Sequence, residues 1–473
     1  MTIIKRVINL CKKVLGKKPA SSSQKKPVDF PIIYTRSEHR VSRQLLSTNA
    51  KKVLYRLNKA GFDAYLVGGG VRDILLGLEP KDFDIATNAT PEQIKDLFRN
   101  CRLIGRRFRL AHILFGRDII EVATFRGHHD NNENNDQQPT KTAKAKQSEH
   151  GMLLRDNIYG SIEEDAERRD FTINALYYSI KDFNVYDFAN GIEDIQNKTI
   201  RLIGDPETRY REDPVRMLRA VRFATKLDMS ISEETQAPIS ELAPLLANIP
   251  PARMFEEFNK LFMSGKAVEN YHLLRKFGLF KYFFPRLDLL LNGEQNDQLE
   301  AFILLAMQNT DKRVINNQRV TPAFLLAAML WYPLQEQISH FTAEANLTPQ
   351  DTFFAALHEI SSEQQRSIAI PKRFQAVMKD IWILQDRLTR RDGKRAYKAF
   401  EHLKFRAGYD FLLLRSEIEP ELYGDLAKWW TDFQQASYDT QQLMIASIKT
   451  HRNSRKNPRK KRKPNVKKVI STT

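Results

Sequence analysis

Residues 63–87, DAYLVGGGVRDILLGLEPKDFDIAT, constrain the fold more than any other stretch of this chain. A short strand over 63–67 runs into Gly68, Gly69 and Gly70, and a helix opens directly over 71–76. A second strand over 83–86 is flanked by acids. Strand, glycine turn, helix and strand in so short a space is the start of an α/β layer. The flanking sequence extends it. Residues 51–60 read as a helix ending at Gly61, and Thr90, Pro91 and Gln93 read as a helix start with a capping box. Two more strands follow at 111–115 and 119–124. The order β–α–β–α–β–β predicts an α/β domain with a mixed sheet.

The rest of the chain has another texture. Residues 165–179 read as a helix and 191–203 as turn-rich. From Asp213 onward the apolar residues recur at helical spacing through about residue 416, which predicts an all-helical module with no further sheet. Trp331, Trp382, Trp429 and Trp430 sit in these patterns and read as core. Residues 127–150 are polar and low in complexity, a surface insertion whose adjacent His128 and His129 lack the company of metal ligands.

Charge separates the ends from the middle. Residues 1–27 hold eight Lys/Arg and 451–473 hold ten, with no acid in either, while the remaining 57 basic residues match 57 acids. The formal charge of +18 therefore lies in two disordered arms. Such arms seek polyanions, whether RNA or anionic lipid, or else serve solubility. In residues 1–18, Ile3, Ile4, Val7, Ile8, Cys11, Val14 and Leu15 share one helical face and lysines the other, as in a helix lying on an anionic membrane. Cys11 and Cys101 form neither a disulfide framework nor a zinc pattern, which fits a reducing cytosol. The apolar run 323–334 is too short to span a bilayer.

Chemistry concentrates between residues 68 and 222. The glycines let backbone approach a phosphate, with Arg72 as a further contact and Asp73 to orient it. Asp82 and Asp84 flank Phe83, so in a strand both carboxylates share one face and Phe83 turns inward. Paired carboxylates of this kind suit Mg²⁺. Glu121, on the alternating strand IIEVATFR, is the candidate third carboxylate of a two-metal phosphoryl-transfer site. Arg169, Asp170 and Asn174 precede an apolar run, where Asp170 suits a ribose hydroxyl and Arg169 a phosphate. Asp213 and Pro214 read as N-cap and N1 of a helix carrying Arg216, Arg219 and Arg222 as one ribbon. Asp213 and Arg216, one turn apart, offer an acceptor and a fork of donors to a base edge.

These segments, GGGVRDILLG, DFDIAT, EVATFR, RRDFTINAL and EDPVRMLRAVRF in that order, resemble the class II nucleotidyltransferase family of poly(A) polymerases and CCA-adding enzymes. LIGRRFRLAHILF at 103–115 resembles the segment that marks the bacterial poly(A) polymerase branch. The resemblance implies a palm-like catalytic domain followed by a helical neck and body. It implies metals on Asp82 and Asp84, Asp170 in the active site, and Asp213 and Arg216 facing the incoming base. Gly69, Gly70, Arg72, Asp73, Arg126, Arg169, Asn174, Arg219 and Arg222 complete the expected nucleotide side.

The domains expected are an N-terminal arm over 1–50, a catalytic head over 51–205, a neck over 206–285, a body over 286–445 and a basic tail over 446–473. The expected reaction adds AMP from ATP to RNA 3′ ends without a template, with two Mg²⁺ ions or Mn²⁺ in their place. The expected setting is cytoplasmic mRNA polyadenylation and RNA turnover. The N-terminal arm is expected to meet RNA-decay proteins or the inner face of an anionic membrane. The alternatives are a CCA-adding enzyme, which accepts CTP and stops after three additions, and an inactive RNA-binding adaptor. The adaptor is disfavoured because both acids of D-F-D are present.

Overall fold

The computed structural model describes residues 31–105, 109–127, 146–147, 153–155, 158–293, 297–344 and 347–456. The two basic arms at 1–30 and 457–473, and most of the 127–150 insertion with His128 and His129, lie outside the described residues. The chain divides into two compact units between Asp205 and Pro206.

The first unit is built on an eight-stranded mixed sheet. Its strands are β1 (Ile32–Tyr34), β2 (Ala64–Val67), β3 (Asp84–Thr87), β4 (Cys101–Ile104), β5 (Leu110–Phe115), β6 (Asp118–Thr124), β7 (Leu176–Ser179) and β8 (Val185–Asp187). Their spatial order is β1-β8-β7-β2-β3-β6-β5-β4. Only β3 and β6 pair in parallel; every other neighbour is antiparallel. The helices are α1 (Thr48–Lys59), α2 (Gly69–Leu75), α3 (Pro91–Leu97), α4 (Ile162–Glu167) and α5 (Gly191–Gln196).

Local sequence accounts for most of these boundaries. Ser47 caps α1 by accepting from the Ala50 N–H, and Gly61 follows the helix with a positive φ of 88°. The capping box of α3 is present, with Gln93 Oε1 accepting from the Thr90 N–H at 2.8 Å. A second box, Ser161 with Glu164, opens α4.

Residues 165–179 depart from the expected helix. The helix stops at Glu167, a single 3₁₀ turn spans Thr172–Asn174, and Leu176–Ser179 is strand β7. All four β7 residues are buried, and β7 pairs with both β2 and β8. A strand covered on both faces shows no polar alternation, so its apolar run is as readily taken for a helix.

Among the described residues, the second unit is helical apart from a two-residue strand at Ser230–Ile231. Helices α6 (Pro206–Glu212) and α7 (Val215–Leu227) begin it, and α8 (Pro251–Phe262) follows after shorter helical turns. Val215, Leu218 and Val221 are buried as the helical spacing requires. Phe258, Phe262, Phe280, Phe283 and Phe284 form a fully buried aromatic core near α8. Trp331, Trp382 and Trp430 are core, while Trp429 is half-buried and stacks on Phe433 at 4.7 Å. Order continues further than the sequence indicates, because the last helix runs over Tyr438–Lys456. No described helix is long and apolar enough to cross a membrane.

Candidate active site

The carboxylates gather where β3 begins. Asp84 is the first residue of β3, but Asp82 precedes the strand, so strand alternation is not what brings the two together. Phe83 is half-buried rather than an inward anchor. The backbone at Asp82 runs close to α2: a Cβ on Gly70 would stand 3.4 Å from the Asp82 carbonyl. The parallel register pairs Ile85 with Val122, which sets Asp84 beside Glu121 one step earlier on both strands. The residue surface of Asp84 is open to solvent. Its carboxyl is nevertheless pushed up to about 6, first by surrounding protein, then by Glu121 and Asp82, with Arg169 opposing.

His112, which the sequence reading missed, pairs with Glu121 across β5 and β6 and brings Nε2 to 3.3 Å from Oε1. Among the described residues, no three His, Cys, Asp or Glu side chains already surround one point. Mg²⁺ typically takes one or two carboxylates and fills its octahedron with water and substrate phosphate. A solvent-open Asp84 whose charge is strained by two neighbouring carboxylates fits that habit.

Two linked networks stand behind the glycines. In the first, Asp73 Oδ1 accepts from Arg72 Nε at 2.9 Å and Nη2 at 2.6 Å. Arg72 Nη1 donates to Asn174 Oδ1 at 2.7 Å, and Asn174 Nδ2 donates to Asp170 Oδ1 at 3.0 Å. That oxygen also accepts from the Phe171 N–H at 2.8 Å. Arg72 and Asp73 are buried, so they are not the surface ion pair that a glycine-rich turn alone would suggest. Buried this way, the guanidinium orients Asn174, and its Nη2 lies against the glycine turn, 3.5 Å from where a Cβ on Gly69 would stand.

In the second network, Arg169 Nε donates to the Tyr177 hydroxyl at 2.7 Å and Nη2 donates to Asp165 Oδ2 at 3.1 Å. Tyr177 in turn donates to the same Asp165 oxygen at 2.6 Å. Asp165 Oδ1 accepts from the Arg126 N–H at 3.2 Å. Burial lowers the Arg126 guanidinium, and Asp165 acts against that. Burial drives the Tyr177 hydroxyl far up, so it remains a donor. Gly68 sits against this network with φ 66° and ψ −129°, and a Cβ there would stand 3.3 Å from Arg169 Nη1. Asp165 and Tyr177 were not singled out from sequence, although Asp165 lies four residues before Arg169.

In the second unit, Asp213 and Arg216 do not meet through their side chains. Asp213 Oδ2 accepts from Arg253 Nη2 at 2.6 Å, and its Oδ1 accepts from the Val215 N–H at 3.3 Å. The N-cap position itself falls on Pro214, one residue later than expected. Arg216 Nη1 donates to the Arg209 carbonyl at 2.6 Å and to Glu212 Oε2 at 2.9 Å. Arg219 and Arg222 are half-buried and both lie over the Phe223 ring, at 5.4 and 4.6 Å. Glu212 was legible at i,i+4 from Arg216; Arg253 was not.

The chain is 52% identical over 461 residues to Poly(A) polymerase I of Salmonella typhimurium, covering 96% of this chain and 98% of that one. The chain belongs to the poly(A) polymerase I family. Poly(A) polymerase I of Haemophilus influenzae is 50% identical over 406 residues, covering 86% and 88%. Residues 64–201 match the Poly A polymerase head domain family. Residues 228–291 match the family described as probable RNA and SrmB-binding site of polymerase A, and 345–464 match its arginine-rich C-terminus.

A CCA-adding enzyme of Lactobacillus helveticus is 39% identical over 215 residues, only 45% of this chain. The fold is shared with a tRNA nucleotidyltransferase complexed with a primer tRNA and an incoming ATP analog. That structure has a TM-score of 0.55 at 23% identity, covering 81% of this chain and 98% of that one. The enzyme is thus a nucleotidyltransferase with poly(A) polymerase activity, and a CCA-adding activity is the distant alternative.

Proposed function

We propose that the first unit transfers AMP from ATP to RNA 3′ hydroxyls at the mouth of β3, with Asp82 and Asp84 holding Mg²⁺ and Glu121 beside them. The observation that carries this reading is the meeting of Asp84 and Glu121 at one register step of β3 and β6, with Asp82 two residues away; burial first, and then these two carboxylates, push the Asp84 carboxyl up to about 6. Two Mg²⁺ ions held there would lower the pKa of the attacking 3′ hydroxyl and stabilise the negative charge of the triphosphate and of the departing pyrophosphate. Mn²⁺ has the same preference for oxygen ligands.

The chain's own residues do the rest. Gly68, Gly69 and Gly70 let backbone come close to the triphosphate. Arg169 supplies positive charge at that turn, anchored by Tyr177 and Asp165, and the backbone N–H of Arg126 donates to the same Asp165. Asp170 takes the ribose, its carboxylate oriented by Asn174, which Arg72 and Asp73 hold in turn. Positioning of this kind is most of what phosphoryl transfer asks of a protein.

Asp213 and Arg216 select adenine, each held ready by a partner, Arg253 and Glu212 respectively. Arg219 and Arg222 continue that basic face. The neck at 206–285 and body at 286–445 carry RNA, and the two basic arms hold it further or reach RNA-decay proteins or an anionic membrane. The reaction serves mRNA polyadenylation and RNA turnover in the cytoplasm. The test is purified full-length protein with labelled RNA, Mg²⁺ and each NTP in turn. Long tails with ATP alone are expected; CTP incorporation that halts after three additions would overturn the reading.

A further inference from the structure

We infer that the face of the sheet opposite the carboxylates carries a second RNA groove, which grips single-stranded RNA away from the growing 3′ end. Strand alternation defines the two faces. Asp84 and Glu121 share one with Tyr65 and Tyr177; Leu66, Ile85 and Tyr178 occupy the other. Helix α1 covers this second face, packing on β2, β3 and β6. Buried Ala50, Val53, Leu54 and Leu57 form the stripe that α1 packs inward.

The outward stripe of α1 is unusual. Lys51, Lys52, Arg56 and Lys59 fall at helical spacing, and the helix contains no acid. Lys52 and Arg56 stand at i,i+4 and Arg56 and Lys59 at i,i+3, where like charges weaken a helix. None of the four makes an ion pair within the described residues. These cations line a groove of about 760 Å³ together with Tyr55, Phe98 and Phe115. Arg56 lies over Phe98 at 5.1 Å and Lys52 over Phe115 at 6.0 Å. Phe98 is buried, with 3% exposed, and Phe115 is half-buried, so Tyr55, 45% exposed, is the ring that a base can reach.

Cations tracking a backbone beside aromatic rings that accept bases is how single-stranded nucleic acid is held without sequence preference. The chain's own ends are poor occupants, because residues 1–27 and 451–473 carry only positive charge. A polyanion fits, and the polyanion this enzyme works on is RNA. A strand in the groove cannot place that same nucleotide at Asp84, on the far side of the sheet. The groove therefore engages RNA away from the end being extended and raises the effective concentration of that end. The inference rests on RNA as substrate and not on the roles of the catalytic residues.

The test uses the full-length chain carrying Lys52→Gln with Arg56→Gln, and separately Tyr55→Ala, all at exposed positions. RNA affinity is measured across salt concentrations for a long RNA and for a primer too short to reach round the sheet. Losing two phosphate contacts should flatten the log K against log[salt] slope by about 1.4 for the long RNA. The KM for long RNA should rise about ten-fold, with kcat and the short-primer KM unchanged. Melting temperature should hold or rise, since a like-charge pair is removed. Photocrosslinking of 4-thiouridine RNA should label the Tyr55 peptide. An unchanged slope and KM for long RNA would overturn the proposal. So would intact RNA binding with lost affinity for phosphatidylglycerol vesicles or for an acidic peptide. In either case tail synthesis on the short primer persists, so the catalytic reading stands apart.

Discussion

Arg253 Nη2 donates to Oδ2 of Asp213 at 2.6 Å across forty residues of chain, tying α8 to the entry of α7. The two side chains are 32% and 25% exposed, so the pair adds little to stability. Its effect is on where the Asp213 carboxylate points. Arg253→Ala is expected to leave the melting temperature nearly unchanged and to lower the ATP-over-CTP ratio of kcat/KM about ten-fold. Arg253→Lys should restore the ratio only partly, lacking the planar fork. The check is steady-state kinetics with four nucleotides, combined with Asp213→Asn in a double-mutant cycle. Additive effects in that cycle would separate the two residues.

Asp82→Asn and Asp84→Asn should each cut the polymerisation rate by more than about 100-fold, the loss of several kcal/mol of metal-based stabilisation. A variant retaining a tenth of the rate would remove that residue from the metal site.

Asp84→Asn should also stabilise the metal-free fold. The carboxyl is pushed up to about 6 in the folded chain against an ordinary value near 3.8. The folded state then binds more protons than the unfolded one between those values, so wild-type stability falls as pH rises through that window. Above it the penalty is complete. With solvent exposure allowed for, it amounts to about 1 kcal/mol, or roughly 2–4 °C in melting temperature. Melting curves in EDTA from pH 4 to 8 should show the variant's advantage growing to about pH 6 and then levelling. A constant difference would remove Asp84 as the titrating group.

Gly68→Ala should cost about 1–3 kcal/mol, because φ 66° with ψ −129° is a region that L residues rarely hold, and the methyl would crowd Arg169. Gly69→Ala is the control: its Cβ would meet Arg72 Nη2 at 3.5 Å, an ordinary contact, without a positive φ. Denaturant titration compares them, and equal losses would show that backbone conformation is not the cause.

Tyr177→Phe should lower stability by about 1–3 kcal/mol, since the hydroxyl bridges Arg169 and Asp165. It should raise the KM for ATP more than it lowers kcat, because Arg169 loses one of its anchors beside Gly68. Unchanged ATP binding in a folded variant would confine the bridge to stability.

What could be read from sequence was local. The Thr90–Gln93 box and the stop at Gly61 are fixed by residues a few positions apart, and D-F-D named its acids, although the shared strand face expected of them is not present because β3 begins only at Asp84. Their neighbourhood could therefore be placed before any contact was known. Strand β7 escaped because both its faces are covered, which erases the alternation that marks a strand. Arg253 escaped because nothing forty residues from Asp213 announces the pairing. His112 escaped because a cross-strand partner depends on register. Arg72 was found, but its bond to Asn174, 102 residues away, depends on the fold.

The sheet order also bears on how the chain is made. Strand β2 has β3 on one edge, some twenty residues on, and β7 on the other, more than a hundred residues on. A ribosome that has finished β6 has supplied one side of the sheet's centre and left the other side of β2 bare. At the usual pace of synthesis that bare edge persists for on the order of seconds, until β7 and β8 emerge. An unpaired apolar strand invites pairing with a neighbouring chain. Slow translation between residues 125 and 187 should therefore lower the yield of soluble enzyme even where the finished protein is fully stable.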